Sequence, residues 1–313
     1  SLFLAPMIHS WCVCLGLLDF WLGFAIALGM VALLAQQRRA PTTPRAVALA
    51  LGSILLWWVH LIPLFLLHVL VAGDLAVTTR RARREARELV SRCVLPILPG
   101  SALIAWSVLG QLFVPAAVHL RSYPSLWLAP WDLLQNLWVQ YFLAFTPLSA
   151  TTLVPCVALA VIAWRRRRER VAFFEPATLL VLVAMYSFVP YVLSFWAYAN
   201  TRVAPFLWTA ALVRVPARLP RWLTGALVVA TLAYSASLGV DYVRLDRDQK
   251  EFTAGIPYVP EHAKLLPLMF DTHGASMNTR PLSHTWGFYV NAKETAAPRI
   301  FASSRMFGVT YRE

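Results

Sequence analysis

The chain has 313 residues, of which 59% are hydrophobic and 14% are charged, and its mean hydropathy is +0.60. A soluble domain carries about 45–50% apolar and roughly 25% charged residues, so this composition excludes an ordinary soluble protein. The whole net charge of +13 resides in four segments, 38–45, 80–92, 165–175 and 214–221, which hold 17 Arg against 4 acidic residues. Basic loops between apolar runs indicate a multi-span membrane protein with these loops in the cytoplasm, rather than a nucleic-acid-binding face.

The first apolar runs predict paired helices rather than single spans. Leu2–Ala35 exceeds the roughly 20 residues that one span needs, so we interpret it as a helix end, an outer turn at Asp19 and a second helix. Ala46–Val77 has basic loops at both ends, and a single span would place those loops on opposite sides of the membrane. We therefore favour a hairpin of two helices that turns at His60–Pro63, where proline disfavours a continuous helix. One continuous helix is the alternative.

The remaining apolar runs complete an all-α polytopic fold of about 8–9 transmembrane or half-membrane helices. The predicted spans are Cys93–Pro115, Leu148–Trp164, Ala177–Trp196, the short Val203–Val213 and Trp222–Val240. Between them, residues 121–147 are rich in Trp and Tyr, which favours an interfacial segment at the outer face. Residues 1–240 are thus predicted to form a multi-span transmembrane domain.

Residues 241–313 have mixed polarity and are predicted to lie outside the membrane. Lys264–Asp271 has the pattern of a strand, and His284–Glu294 that of a short helix, so we expect a small extracytoplasmic α/β segment. The chain begins at Ser1 without a leader and ends at Glu313 within this lobe. We therefore expect a fragment whose C-terminal lobe is incomplete.

Few polar residues at the outer ends of the spans are candidates for a site. Arg202 follows Tyr198 and Asn200 at the outer mouth of a span, and its guanidinium either binds a phosphate or extends to lipid headgroups. Asp19 is either a base, a metal ligand or a solvated turn residue, and His60 is either a helix cap, an interfacial contact or a catalytic residue. The sequence contains no complete catalytic constellation.

Several motifs resemble bacterial members of the GT-C superfamily, the multi-span glycosyltransferases that use polyprenyl-phosphate sugars. They are Gly16–Leu28 (GLLDFWLGFAIAL), Trp57–Pro63 (WWVHLIP), Asn200–Phe206 (NTRVAPF), Phe252–Pro257 (FTAGIP) with Ala263–Leu268 (AKLLPL), and His284–Tyr289 (HTWGFY). In Trp57–Pro63 two residues separate the His from the Pro, where the superfamily's members usually have none.

The resemblance implies inverting hexosyl or pentosyl transfer from a polyprenyl-phosphate donor on the outer face of the bacterial inner membrane. It implies a catalytic acid in a first outer loop, which we expect to precede Ser1. Arg202 would bind the lipid phosphate, and Asn200, Tyr198, His60 and Asp19 would face the substrates. No cofactor is identified, although a divalent metal would suit the leaving phosphate. The alternatives are a non-catalytic or degenerate integral membrane subunit and, less favoured, a transporter.

Overall fold

The computed structural model describes residue 3 and residues 18–112, 125–139, 147–193, 196–266 and 285–295. The helices are α1 (Leu18–Arg39), α2 (Thr43–Val59), α3 (Leu61–Arg81), α4 (Arg83–Leu89), α5 (Leu95–Leu112), α6 (Pro130–Val139), α7 (Leu153–Arg165), α8 (Pro176–Phe188), α9 (Ala204–Leu212), α10 (Arg221–Thr253) and α11 (Trp286–Lys293). A π-helical turn, Val90–Val94, joins α4 to α5. The strands β1 (Val192–Leu193) and β2 (Trp196–Ala197) form a small antiparallel pair.

Four helical stretches among the described residues are long and apolar enough to cross a membrane. They are Leu18–Arg39, Leu61–Arg81, Arg83–Ser107 and Arg221–Tyr258. The predicted class, an α-helical membrane protein, is therefore confirmed. The chain forms two compact units, one of residues 1–142 and 153–227 and the other of residues 143–152 and 228–313.

The hairpin predicted at His60–Pro63 is present. The helix α2 ends at Val59, His60 is extended, and α3 begins at Leu61. Gly23, near the start of α1, lies against Pro63 and His60, whereas Arg38, near the end of α1, pairs with Asp74 of α3. The helices α1 and α3 therefore run in the same direction, and α2 runs between them in the opposite direction. A continuous helix through residues 46–77 is excluded.

The four basic segments meet at one end of the first unit, as the charge pattern predicts. Each segment contacts the next through a buried or half-buried side chain. The contacts are Arg92 Nη1 to the Arg38 carbonyl at 3.1 Å, Arg81 Nη1 to Glu175 Oε1 at 3.6 Å, Arg214 Nη2 to the Phe174 carbonyl at 2.8 Å, and Arg166 Nη1 to the Arg214 carbonyl at 2.7 Å. These loops consequently lie on the same side of the helical unit.

Two predicted spans have different ends in the structure. The span predicted to end at Trp196 ends as a helix at Phe188, because Val189 precedes Pro190 and a residue before proline disfavours the helical conformation. The helix predicted to end at Val240 continues to Thr253. Its polar extension contains an i,i+4 ion pair between Asp246 and Lys250 at 2.6 Å, a pairing that supports an exposed helix.

In the second unit, the predicted helix near residues 284–294 is confirmed as α11. The Tyr289 hydroxyl donates a hydrogen bond to the Phe252 carbonyl at 2.6 Å, and the two rings meet edge to face. The backbone N–H of His262 donates to the Lys293 carbonyl at 2.8 Å. Residues 267–271, most of the predicted strand, lie outside the described residues, as does His284.

Candidate functional site

Three of the residues singled out in the sequence come together at the end of the first unit opposite the basic segments. Asp19 lies in the first turn of α1, His60 joins α2 to α3, and Arg202 lies in the 3₁₀ turn Thr201–Val203 that leads into α9. His60 Nε2 lies 3.9 Å from Asp19 Oδ2. Arg202 is close enough for its positive charge to lower the pKa of His60. An acid, an imidazole and a guanidinium therefore share one site, which we call the outer cluster.

Packing between helices brings the outer cluster together. A Cβ on Gly23 would lie only 3.0 Å from Pro63 Cγ and 3.3 Å from His60 Cβ, so glycine allows the hairpin turn to approach α1 closely. The ring of Phe20 meets the His60 ring edge to face, with centroids 5.6 Å apart. On the other side, Phe24 of α1 and Phe206 of α9 have ring centroids 5.0 Å apart. This aromatic pair holds α9, and with it the preceding segment, against α1.

The imidazole of His60 is neutral and has a defined tautomer. Its Nδ1 accepts a hydrogen bond from the backbone N–H of Ile62 at 3.1 Å and so caps α3. Because Nδ1 is the acceptor, the neutral ring carries its proton on Nε2, the atom facing Asp19. Burial lowers the pKa of His60 to about 4, assisted by the charge of Arg202 and opposed by Asp19. His60 therefore offers the site an N–H donor at neutral pH.

The side chains of His60 and Asp19 differ in their access to solvent. The His60 side chain is 12% exposed and the Asp19 side chain is 62% exposed. The imidazole is therefore largely shielded by its neighbours, whereas the carboxylate lies at the surface.

Asn200 and Tyr198 support the segment that carries Arg202. Asn200 is fully buried, and its Nδ2 donates to the Tyr186 carbonyl at 3.2 Å, at the end of α8. Tyr198 has a positive φ of 62° and packs its ring against Tyr191, with centroids 5.1 Å apart. Its carbonyl accepts a hydrogen bond from the Thr201 hydroxyl at 2.7 Å. The substrate-facing roles predicted for Asn200 and Tyr198 remain predictions.

Part of the aromatic segment 121–147 adjoins this end of the molecule through α6. The Tyr186 hydroxyl donates to the Leu133 carbonyl at 2.7 Å, and the Trp208 indole of α9 donates to the Leu137 carbonyl at 3.0 Å. Trp127 and Trp131 are exposed. Exposed indoles are typical of a membrane–water boundary, which agrees with the predicted interfacial position. Residues 121–124 and 140–146 lie outside the described residues.

The described residues do not fit a divalent metal. Within the described ranges, no three His, Cys, Asp or Glu side chains lie close enough together to hold an ion. The outer cluster supplies only Asp19 and His60, and Arg202 adds a positive charge that opposes a cation.

Two ionisable residues are buried near the basic segments of the first unit. Asp74, within α3, is buried and accepts from Arg38 Nη1 at 2.5 Å and from the Phe173 backbone N–H at 3.4 Å. Arg214 is also buried, although it stands in a basic loop of the sequence. The sequence does contain a signal for this pair, because Asp74 is a single acidic residue within an apolar run. Acidic residues within spans usually pair with another group.

Comparison with protein-family models, with curated proteins and with solved structures finds no match to this chain.

Proposed function

We propose that the chain is a GT-C-like membrane glycosyltransferase that moves a sugar from a polyprenyl-phosphate donor to an acceptor at the outer face of the membrane. The observation that carries the proposal is the convergence of Asp19, His60 and Arg202 at the end opposite the basic segments. These three residues belong to three separate motifs of the resemblance. A helical protein with apolar membrane spans is the setting that a lipid-linked donor requires.

The outer cluster suits the phosphate of such a donor. Sugar transfer forms a bond between the acceptor oxygen and the anomeric carbon and breaks the bond from that carbon to the phosphate oxygen. Negative charge grows on the departing phosphate, and preorganised donors stabilise it. The guanidinium of Arg202 offers two parallel N–H donors, and the neutral His60 ring offers its Nε2–H. The resemblance implies a separate carboxylate that takes the proton from the acceptor hydroxyl.

The two alternatives make different demands on the same residues. A degenerate or non-catalytic subunit would keep phosphate binding at the outer cluster but would not transfer the sugar. A transporter coupled to ions needs an ionisable group inside the spans that changes its state. The buried Asp74 is held by Arg38 and by the Phe173 N–H, which supports a structural role for this acid.

Binding of a polyprenyl phosphate by the purified protein tests the role of Arg202. We expect Arg202→Lys to bind more weakly than the wild type and Arg202→Ala more weakly still, because lysine lacks the planar donor fork. Loss of one charge-assisted hydrogen bond costs about 1.5–3 kcal/mol, or roughly tenfold to a hundredfold in affinity. Arg244→Ala is the matched control, since Arg244 is an exposed arginine of α10 that belongs neither to the outer cluster nor to the basic segments.

Equal affinities for all variants, with matched folding, would show that Arg202 only extends to headgroups and would remove the phosphate site. A transfer assay with a radiolabelled polyprenyl-phosphate sugar separates the remaining possibilities. Label moving to an acceptor, with loss in Arg202→Ala, supports the transferase. Normal donor binding without transfer supports the non-catalytic subunit and contradicts the proposed activity.

A further inference from the structure

The basic segments leave a dense group of exposed arginines at one end of the first unit, which we call the basic end. Its exposed members are Arg39, Arg80, Arg81, Arg83, Arg84, Arg87, Arg165, Arg167, Arg168, Arg170, Arg218 and Arg221. The acids of the same segments are Glu85, Glu88, Glu169 and Glu175, and the last of these is buried. The surface charge of the basic end is therefore strongly positive and largely uncompensated.

Buried contacts fix the loops that carry these arginines. Arg214 is buried beneath the surface and donates to the carbonyls of Phe174 and Ala210. The Asp74–Arg38 pair joins α3 to the end of α1. Because these contacts hold neighbouring loops together, the exposed guanidinium groups form one preorganised surface rather than separate mobile charges. A preorganised surface loses less conformational entropy when it binds.

Two tryptophans indicate the depth at which this surface lies. Trp164 directly precedes Arg165 and is 68% exposed, and Trp222 directly follows Arg221 and is 73% exposed. The Arg167 guanidinium lies over the Trp164 ring, 4.4 Å from its centroid. Exposed indoles at the ends of apolar helices lie at the headgroup level of a bilayer. The adjacent arginines consequently lie among the lipid phosphates.

We propose that the basic end binds the phosphate headgroups of anionic phospholipids in the leaflet that it faces. Arginine forms paired hydrogen bonds to phosphate oxygens, and clusters of basic residues next to a membrane span attract anionic lipids. The headgroup depth of the two indoles favours a lipid over an acidic soluble partner, which would have to enter the same layer. This site is separate from the outer cluster and does not depend on sugar transfer.

The test titrates the purified full chain, in zwitterionic detergent, with short-chain phosphatidylglycerol or phosphatidylcholine and counts the bound lipids by native mass spectrometry. The variant combines Arg165→Gln, Arg168→Gln and Arg170→Gln, which leaves the Arg166 and Arg167 contacts intact. We expect the wild type to prefer phosphatidylglycerol and the variant to lose about a hundredfold in its affinity for this lipid. Added salt should weaken the wild-type binding.

The matched control removes three exposed charges from α10, by Arg244→Gln, Arg247→Gln and Lys250→Gln, and should bind phosphatidylglycerol like the wild type. Arg202→Ala should also retain this affinity, because it alters only the outer cluster. Equal binding of the two lipids by the wild type, or equal losses in the variant and the control, would overturn the proposal. So would binding of an acidic polypeptide or an oligonucleotide in preference to phosphatidylglycerol.

Discussion

At the scale of single residues, His60 combines three tasks that are usually divided among several side chains. Its Nδ1 caps α3, its ring packs against Phe20, and its Nε2–H points toward Asp19. The cap and the tautomer depend on each other, because a doubly protonated ring could not accept the Ile62 N–H. Protonation of His60 would therefore weaken the hairpin turn as well as change the charge of the outer cluster.

This coupling predicts a pH-dependent stability. The pKa of His60 in the folded protein is about 4, below the ordinary value of 6.5, so the unfolded chain binds the proton more tightly. The contribution of His60 is complete above about pH 6.5 and is lost as the pH falls toward about 4, with a limit of about 3 kcal/mol. We expect the wild-type thermal midpoint to fall over this range. In His60→Asn, which keeps a capping side chain, this part of the fall should vanish.

His262→Asn is the control for that measurement, because the His262 side chain is 72% exposed. This variant should follow the wild-type pH profile. Thermal midpoints of the three proteins between pH 4 and pH 8 decide the question. A His60→Asn profile identical to the wild type would contradict the buried, neutral imidazole.

The sequence identified Asp19, His60 and Arg202 one at a time but could not show that they meet. Each is a polar residue at the end of an apolar run, and such residues are uncommon in this sequence. Their convergence depends on α9 packing against α1, a contact between Phe24 and Phe206 across many intervening residues. Aromatic residues occur throughout the spans, so no sequence pattern distinguished this pair from the others.

At the scale of elements, a glycine sets the distance between α2 and α5. A Cβ on Gly100 would lie 2.8 Å from Ser53 Cβ and 3.0 Å from the Ser53 carbonyl oxygen. The Gly100 backbone N–H also donates to the Ser53 hydroxyl at 3.0 Å. Small residues let membrane helices approach closely, and here the approach is fixed by backbone atoms that cannot rotate away.

We therefore predict that Gly100→Ala destabilises the protein by about 1–3 kcal/mol, since the new methyl group must separate the two helices. Gly29→Ala is the control. No atom lies within 4 Å of a Cβ at Gly29, and alanine favours a helix over glycine by up to about 1 kcal/mol. Thermal midpoints in one detergent compare the two variants. Equal destabilisation by both would show that helix packing is not responsible.

The boundaries of the elements were predictable where a local rule decided them. The break at His60 follows from basic loops on both sides of one apolar run, and α11 from its apolar pattern. The Val189–Pro190 step also indicates the early end of α8, but the apolar run continues to Trp196 and so predicted a longer span. The continuation of α10 to Thr253 was not predicted, because charged residues after Val240 end the apolar run without ending the helix.

At the scale of the whole molecule, the meeting of the four basic segments predicts one membrane orientation for all of them. In a background with all four cysteines replaced, a Cys at Ala40 or Ala217 should resist a membrane-impermeant reagent added to intact cells. A Cys at Leu18, an exposed position beside the outer cluster, should react. All three positions should react after the membrane is permeabilised, which controls for accessibility.

The opposite pattern, with Ala40 and Ala217 labelled and Leu18 protected, would invert the molecule and place the outer cluster in the cytoplasm. Labelling of Ala40 without Ala217 would contradict the shared side itself. The structure shows that these segments lie together, and the excess of arginine over acidic residues favours the cytoplasm for all of them.

The short helices next to Arg202 have a consequence for how a substrate reaches it. The helix α9 has 9 residues and α8 has 13, so at 1.5 Å per residue they are about 14 and 20 Å long. The hydrocarbon layer is about 30 Å thick, and such a mismatch thins the bilayer or leaves the helix ends below its surface. The helices α1 and α3, with 22 and 21 residues, match that thickness, so the mismatch is confined to the side of α8 and α9. On that side the proposed lipid-linked donor would reach Arg202 from within the leaflet, with its tail still in the bilayer.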